Sequence, residues 1–315
     1  MEQPRYIITI PAKDESGTIG DVINRIKKAM LNYNYRIIVV DDGSKDNTVQ
    51  IAKDAGAIVF SHPLNYGLAE TFRTEMEVGL GLIVESEIVQ DGQIVKIKTP
   101  YNADYFIHID ADGQYIPEEI PLIIKKLDEA ELVLGSRFKG TITGMPIIKR
   151  LGNMMFSKVI SFIVKQPISD AQTGFRGFTR SVAKQLKFKS DYTYTQEQII
   201  RAYLHKFAIA EVPATFIKRG HGKSRLLSNP FSYAWRAWIN LIRLFRDYAP
   251  LKLFGSVGIF LLSIGVGLSF YILYILWSTG QIGRYPLVMI TVFLLLAGIQ
   301  MIAFGFMADQ GNGVV

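Results

Sequence analysis

The sharpest chemical signal in the chain is a pair of carboxylates two residues apart, Asp110 and Asp112, in the run Asp110-Ala111-Asp112-Gly113-Gln114. They follow a short apolar run, Tyr105–Ile109, that reads as a strand, so both acids fall at a strand's end. A hard divalent cation such as Mg²⁺ or Mn²⁺ takes one or two carboxylates and completes its shell with phosphate oxygens and water. Gln114 can add a neutral oxygen. A lone D-x-D is also ordinary turn chemistry; the strand in front of it is what raises its weight.

Two more acidic loops follow strand-like runs. Pro11-Ala12-Lys13-Asp14-Glu15 ends Tyr6–Ile10, and Val39-Val40-Asp41-Asp42-Gly43-Ser44 ends Arg36–Val40. A carboxylate in such a loop can accept hydrogen bonds from a ribose hydroxyl or a base N–H. Asp14, Ser16 and Ser44 are equally good helix N-caps. Capping explains some of these residues, but it does not require acids at three successive strand ends.

The elements that must position these loops alternate. Ile19, Val22, Ile23, Ile26 and Met30 recur at helical spacing between the first two strands. A helix from the Ser44-Lys45-Asp46-Asn47 cap to Ala55, a strand at Ala57–Phe60 and a helix at Tyr66–Leu80 follow. After the Asp110 loop come a helix at about Pro117–Glu129 and a strand at Leu132–Leu134. This pattern predicts βαβ units and a mostly parallel sheet, whose ligands bind beyond the carboxyl ends of the strands. Residues 85–102 interrupt it and read as an inserted hairpin around Asp91-Gly92.

The 315 residues carry 35 Lys and Arg against 28 Asp and Glu, a net charge of +7 that suggests an anionic partner. With no cysteine, thiolate zinc sites, disulfide scaffolds and cysteine nucleophiles are excluded. His62, His108, His205 and His221 lack metal-ligand spacing and read as structural or peripheral. Leu253–Trp277 and Tyr285–Ala308 contain no charge, and each exceeds the ~20 residues that cross a bilayer core. Met1–Arg5 leads straight into Tyr6–Ile10 and Pro11, which is not a signal-peptide pattern.

Two stretches, residues 146–165 and Pro230–Tyr248, read as basic amphipathic helices of the membrane interface. Eight Lys and Arg lie between Lys218 and Lys252, against one acid, while the loop Ser278–Arg284 has one. The positive-inside rule therefore places the head in the cytoplasm, on a plasma or ER membrane. The expected organisation is a head over residues 1–228, a juxtamembrane helix over 229–252, a two-span hairpin over 253–308 and a tail over 309–315. A nucleic-acid partner is not expected, because the basic residues cluster beside the spans and no recognition motif occurs.

Taken together, the three acidic loops resemble the family-2 glycosyltransferases of the GT-A, Rossmann-like fold. Ser136-Arg137, Asp170-Ala171-Gln172-Thr173-Gly174-Phe175-Arg176, and Arg219 followed by Gly222-Lys223-Ser224-Arg225 continue the resemblance. With two C-terminal spans, the chain is similar to the polyprenyl-phosphate branch, the dolichol-phosphate mannose and glucose synthases. Lys13 departs from the aromatic residue common in the first motif, which leaves GDP against UDP open.

The resemblance implies transfer of one hexose from a nucleotide diphosphate sugar to a polyprenyl or dolichyl phosphate, inverting and metal-dependent. It implies nucleotide contacts at Pro11, Ala12, Glu15, Val40, Asp42 and Ala111, with Arg219 on the diphosphate. It implies Asp110, Asp112 and Gln114 as holders of Mg²⁺ or Mn²⁺, and Ser136, Arg137 and Arg150 facing the acceptor phosphate. Asp112, Arg137 and Asp170 would act at the reaction centre, Asp170 near the transferred sugar. A processive polysaccharide synthase, a non-catalytic nucleotide-sugar-binding protein and a homo-oligomer stay open as alternatives.

Overall fold

The computed structural model describes residues 4–83, 85–90, 93–98, 101–186, 194–219, 239, 242–243, 245–281 and 285–312. The Asp91-Gly92 turn, the Gly222–Arg225 motif and most of the Pro230–Tyr248 stretch lie outside the described residues. The chain divides into two compact units, Met1–Pro230 and Phe231–Val315.

Among the described residues, nine strands form one sheet in the first unit: β1 (Arg5–Ala12), β2 (Asn34–Asp41), β3 (Ile58–Ser61), β4 (Glu85–Gln90), β5 (Gln93–Lys98), β6 (Tyr105–His108), β7 (Leu132–Ser136), β8 (Arg176–Thr179) and β9 (Ile209–Pro213). Their order is β5-β4-β3-β2-β1-β6-β8-β7-β9. The β4–β5 hairpin adds antiparallel at one edge. Of the seven strands that remain, β8 alone runs against the others, pairing antiparallel with both β6 and β7. The mostly parallel sheet expected from the alternating pattern is therefore present.

The register explains why the acidic loops meet. Ala12 at the end of β1 pairs beside Asp41 at the end of β2. On the other side, Thr9 pairs beside His108 at the end of β6. Three parallel neighbours end within a few residues of one another, so their loops leave the sheet at one edge.

Burial holds that edge in place. Ile7, Ile8 and Ile10 of β1 and Val39 and Val40 of β2 are fully enclosed. Each such side chain contributes about 1.5–3 kcal/mol relative to exposure. Helix α1 (Ile19–Ala29) lays Ile19, Val22, Ile23 and Ile26 on the sheet. Its charges match the helix dipole, with Asp21 in the first turn and Lys27 and Lys28 in the last. Helices α2 (Thr48–Asp54) and α3 (Leu68–Leu80), and α4 (Ile120–Lys126) behind a 3₁₀ turn at Pro117–Glu119, complete the covering layers near the site.

Helix α5 (Ile147–Val164) distributes its apolar residues in an unusual way. Asn153, Phe156, Ser157, Ile160, Ile163 and Val164 are buried. Ile147, Ile148, Leu151, Met154, Met155 and Phe162 are exposed, Ile147 at 75%. The stripe read from the sequence is thus largely the solvent-facing side, while two polar residues sit on the packed side. Helices α6 (Arg180–Lys184) and α7 (Tyr194–Leu204) close the first unit's described helices.

The second unit holds two long apolar helices, Pro250–Thr279 and Tyr285–Asn312, which are candidate membrane spans by length and composition. They approach closely at glycines: a Cβ on Gly258 would lie 2.7 Å from the Gly298 carbonyl oxygen, and one on Gly298 would lie 2.9 Å from that of Gly258. Small residues at a crossing are how apolar helices pack without a hydrophobic drive between them.

Candidate active site

The loop after β6 carries Asp110 and Asp112. Gly113 takes a positive φ of 69°, which a Cβ disfavours, and this turns the chain so that both acids reach one cleft. The Gln114 N–H donates to Asp112 Oδ1 at 3.1 Å. Gln114 Nε2 donates to the Ile217 carbonyl at 3.0 Å, and the Ile217 N–H donates back to the Gln114 carbonyl at 2.9 Å. The acidic loop is thereby stapled to the segment that carries Lys218 and Arg219.

Asp110 packs closely against Gly174. Tyr115 Oη accepts from the Gly174 N–H at 3.0 Å, and a Cβ on Gly174 would come within 2.7 Å of Asp110 Oδ1. Burial, and then the negative charge of Asp112, push the Asp110 carboxyl up to about 6. Gly174→Ala is therefore expected to fold but to displace the Asp110 carboxylate, weakening Mn²⁺ binding about tenfold or more while the thermal midpoint moves by a few degrees. Mn²⁺ titration beside thermal unfolding checks this; unchanged Mn²⁺ affinity would count against the close fit.

Loops one and two are cross-braced. Lys13 Nζ donates to the carbonyls of Asp42 and Gly43 at 3.0 and 3.1 Å. Ser44 Oγ accepts from the Asp14 N–H at 2.8 Å, and Thr48 Oγ1 accepts from the Glu15 N–H at 2.8 Å. Asp42 is buried and accepts the N–H groups of Tyr66 and Gly67 at 2.8 and 3.0 Å. His62 Nδ1 lies 3.2 Å from the same carboxylate, and its Nε2 lies 2.9 Å from Thr74 Oγ1. Asp42 therefore fastens the loop after β3 onto the cleft wall.

Pro11, Ala12, Glu15, Asp42, Asp110, Ala111, Asp112, Gln114 and Arg219 all line this one cleft. Val40 is enclosed within β2 beside it. Ser136, Arg137, Arg150 and Asp170 are not among its lining residues. Ser136 Oγ meets Ser169 Oγ at 2.5 Å. Arg150 is exposed on the first turn of α5.

Arg137 and Asp170 form a buried pair. Nε and Nη2 of Arg137 donate to the two carboxylate oxygens at 2.6 and 2.8 Å, and the Arg137 N–H adds a third bond at 3.1 Å. Their side chains are 5% and 0% exposed. Removing one partner from such a pair strands a buried charge. Arg137→Met is expected to destabilise the fold by about 3–5 kcal/mol, and the double variant Arg137→Met/Asp170→Leu to recover most of it. Denaturant unfolding decides; an unchanged midpoint in the single variant, with transfer lost, would assign Arg137 to the reaction instead.

The cation that the structure brings into the cleft from α5 is Lys149, the neighbour of Arg150. Burial lowers its pKa first, and the nearby positive charge of Arg137 adds to this, opposed by Asp112 and Asp110. The signal for it is helical phase. Lys149 stands four residues before Asn153, on the packed face, whereas Arg150 stands four before Met154, on the exposed one. Lys218 lines the cleft as well, and neither it nor Lys149 has an ion pair among the described residues.

Arg219 completes the arrangement. Its Nη2 donates to Asp112 Oδ2 at 2.8 Å and to Glu15 Oε1 at 3.0 Å, tying the first and third acidic loops to the chain's later half. Among the described residues no group of three or more His, Asp or Glu converges as a complete metal cage. Two neighbouring carboxylates in a cleft that Lys149, Lys218 and Arg219 also line suit instead a dication shared with a phosphate ligand, the usual preference of Mg²⁺ and Mn²⁺.

The comparisons with known proteins bear out the glycosyltransferase fold. The profile described as "Glycosyl transferase family 2" matches residues 7–78 and 101–187, on either side of the inserted hairpin, and the chain belongs to that family. A Methanococcus voltae protein named UDP-N-acetylglucosamine--dolichyl-phosphate N-acetylglucosaminyltransferase is 32% identical over 70% of this chain and 88% of its own length. Glycosyltransferase AglJ of Haloferax volcanii is 27% identical over 96% of this chain and 92% of its own. A dolichyl-phosphate hexose transferase of the same organism is 26% identical over 70% of this chain and 84% of its own.

Among solved structures, glucosyl-3-phosphoglycerate synthase from Mycobacterium tuberculosis, in complex with Mn²⁺, UDP and glucosyl-3-phosphoglycerate, superposes with a TM-score of 0.53. It shares 19% identity over 76% of this chain and 80% of its own, a likeness of fold. The chain is a glycosyltransferase related to the dolichyl-phosphate sugar transferases.

Proposed function

We propose that the enzyme transfers a single hexose from a nucleoside diphosphate sugar to a polyprenyl or dolichyl phosphate at a membrane surface, inverting the anomeric centre. The observation that carries this reading is the charge content of one cleft, lined together by Asp110, Asp112, Lys149, Lys218 and Arg219. The relatives named for dolichyl-phosphate transfer support the acceptor class.

Pro11, Ala12, Glu15, Asp42 and Ala111, with Val40 behind them, form the nucleoside side of the cleft in this reading. Asp110, Asp112 and the Gln114 amide oxygen would hold Mg²⁺ or Mn²⁺. That cation supplies charge neutralisation on the leaving diphosphate. Arg219 offers the same diphosphate a planar fork that suits phosphate oxygens. On the acceptor side Lys149 positions the lipid phosphate against electrostatic repulsion from the donor, with Arg150 at the rim. The buried Arg137–Asp170 pair, outside the cleft lining, braces the chain after β7 against the segment that starts at Asp170.

A phosphomonoester has a second pKa of about 6 and is already largely ionised at neutral pH. No general base is needed to make it a nucleophile. The protein's share of the work is orientation and preorganised charge. The exposed apolar side of α5 begins at Ile147 and Ile148, directly after Pro146 of the cleft lining, and such a patch suits contact with lipid. In this reading the two apolar helices anchor the enzyme as a hairpin, with the head on the cytoplasmic side.

The test is transfer of radiolabel from UDP- and GDP-sugars into organic-extractable lipid, with dolichyl or undecaprenyl phosphate as acceptor and Mg²⁺ or Mn²⁺ present. Label in the lipid phase that requires both the lipid phosphate and the cation is the expected result. Label that stays with water-soluble acceptors under every condition would reject the reading.

A further inference from the structure

Arg219 sits where it interferes with the ion that its neighbours are suited to hold. Its Nη2 bridges Asp112 Oδ2 and Glu15 Oε1. Its side chain is 25% exposed, and its Nε is buried with no hydrogen-bond partner among the described residues. One edge of the guanidinium is thus spent on carboxylates while the Nε–H donor has no partner among the described residues. A dication on Asp112 would share that carboxylate with the guanidinium, well inside the ~10 Å over which salt fails to screen two like charges. A nucleoside diphosphate removes the conflict, because its oxygens accept from an arginine fork and its negative charge compensates both cations.

We infer that Arg219 is the resident counter-ion of Asp112 and Glu15 in the donor-free enzyme, and that a nucleoside diphosphate draws it away, so that divalent metal and nucleotide bind cooperatively. The inference rests on the reading of Asp112 as a metal ligand. It assigns Arg219 a second task besides meeting the diphosphate, that of keeping the acidic loops charge-balanced and in place before the donor arrives. Coupling of this kind is reciprocal: whatever factor the nucleotide adds to metal affinity, the metal adds to nucleotide affinity.

The experiment is Mn²⁺ binding to the full chain in detergent micelles, followed by the electron paramagnetic resonance of free Mn²⁺, without nucleotide and then with UDP or GDP. Arg219→Gln is expected to bind Mn²⁺ alone about tenfold more tightly than the wild type, a typical size for such coupling. Arg219→Lys, which keeps the charge but not the fork, is expected to stay near the wild type and so shows that charge is responsible. An Arg219→Gln affinity for Mn²⁺ alone equal to or weaker than the wild type overturns the inference. Asp112→Asn separates the two levels. If it loses Mn²⁺ binding while Arg219→Gln gains none, the counter-ion role fails and the metal site stands. If it binds Mn²⁺ like the wild type, the metal site and the counter-ion role fail together.

Discussion

Asp112→Asn is expected to lower hexosyl transfer about 10²–10³-fold, the scale seen when one preorganised charge-stabilising group is lost. The substitution keeps the size and leaves an amide oxygen that can still accept the Gln114 N–H, bonded at 3.1 Å in the parent. The loop stapled to Ile217 therefore keeps its shape. What goes is one of two negative charges: burial still raises Asp110, the added push from Asp112 is lost, and so is one of the two carboxylates proposed to hold the cation. The loss should appear in kcat and kcat/KM together, because the charge matters most as the diphosphate departs. Steady-state transfer across a Mg²⁺ or Mn²⁺ titration is the check. Near-parental, metal-dependent transfer by this variant would contradict the assignment.

Lys149→Met is expected to cut kcat/KM for the lipid phosphate about 10- to 100-fold, the range of a hydrogen bond to a charged group, with the donor KM within about twofold. Methionine preserves the aliphatic volume on the packed side of α5, so the helix and its buried Phe156 and Ile160 stay in register. The asymmetry between the substrates is the informative part. Loss of a cation that met the donor diphosphate would raise donor KM, and loss of one that only stabilised the fold would lower the unfolding midpoint and leave both kinetic constants alone. Arg150→Met serves as the neighbouring comparison. One residue is a rotation of about 100° on a helix, and Arg150 lies outside the cleft lining. A larger acceptor defect in Arg150→Met than in Lys149→Met would move the acceptor site to the exposed side of α5.

The parts of this molecule legible in its sequence are those written locally. Tyr105–Ile109 followed by Asp110-Ala111-Asp112-Gly113 is a strand, a turn and two acids within ten residues, and the structure has them in that relation. The helical spacing of Ile19, Val22, Ile23 and Ile26 is the buried face of α1. What escaped notice is non-local or depends on phase. Arg137 and Asp170 read separately as an acceptor cation and a catalytic acid; folding closes them into one buried pair across 33 residues of sequence. Asp42 reads as a nucleoside ligand, yet the loop after β3 has no sequence mark showing that it will take up both carboxylate oxygens.

Strand β8 was hidden inside a motif read for chemistry, because Arg176-Gly177-Phe178-Thr179 is short and pairs with strands far away in the chain. The resemblance points to Arg150, whereas the cleft takes in Lys149, because it selects a side of the helix. The apolar stripe of α5 was read correctly as a stripe. Its outward orientation is decided by Asn153 and Ser157, polar residues whose packed positions the pattern did not anticipate. Ser157 Oγ accepts the Ala171 N–H at 3.0 Å, a contact available only once the later loop has folded against the helix.

The most direct test of the central claim is the mass of the lipid product formed from a nucleotide sugar and a polyprenyl phosphate of defined length. One hexose added per lipid phosphate, formed by the parent and nearly absent with Asp112→Asn, is the result predicted here. A ladder of several sugars on one lipid, or an equal yield from Asp112→Asn, would contradict it.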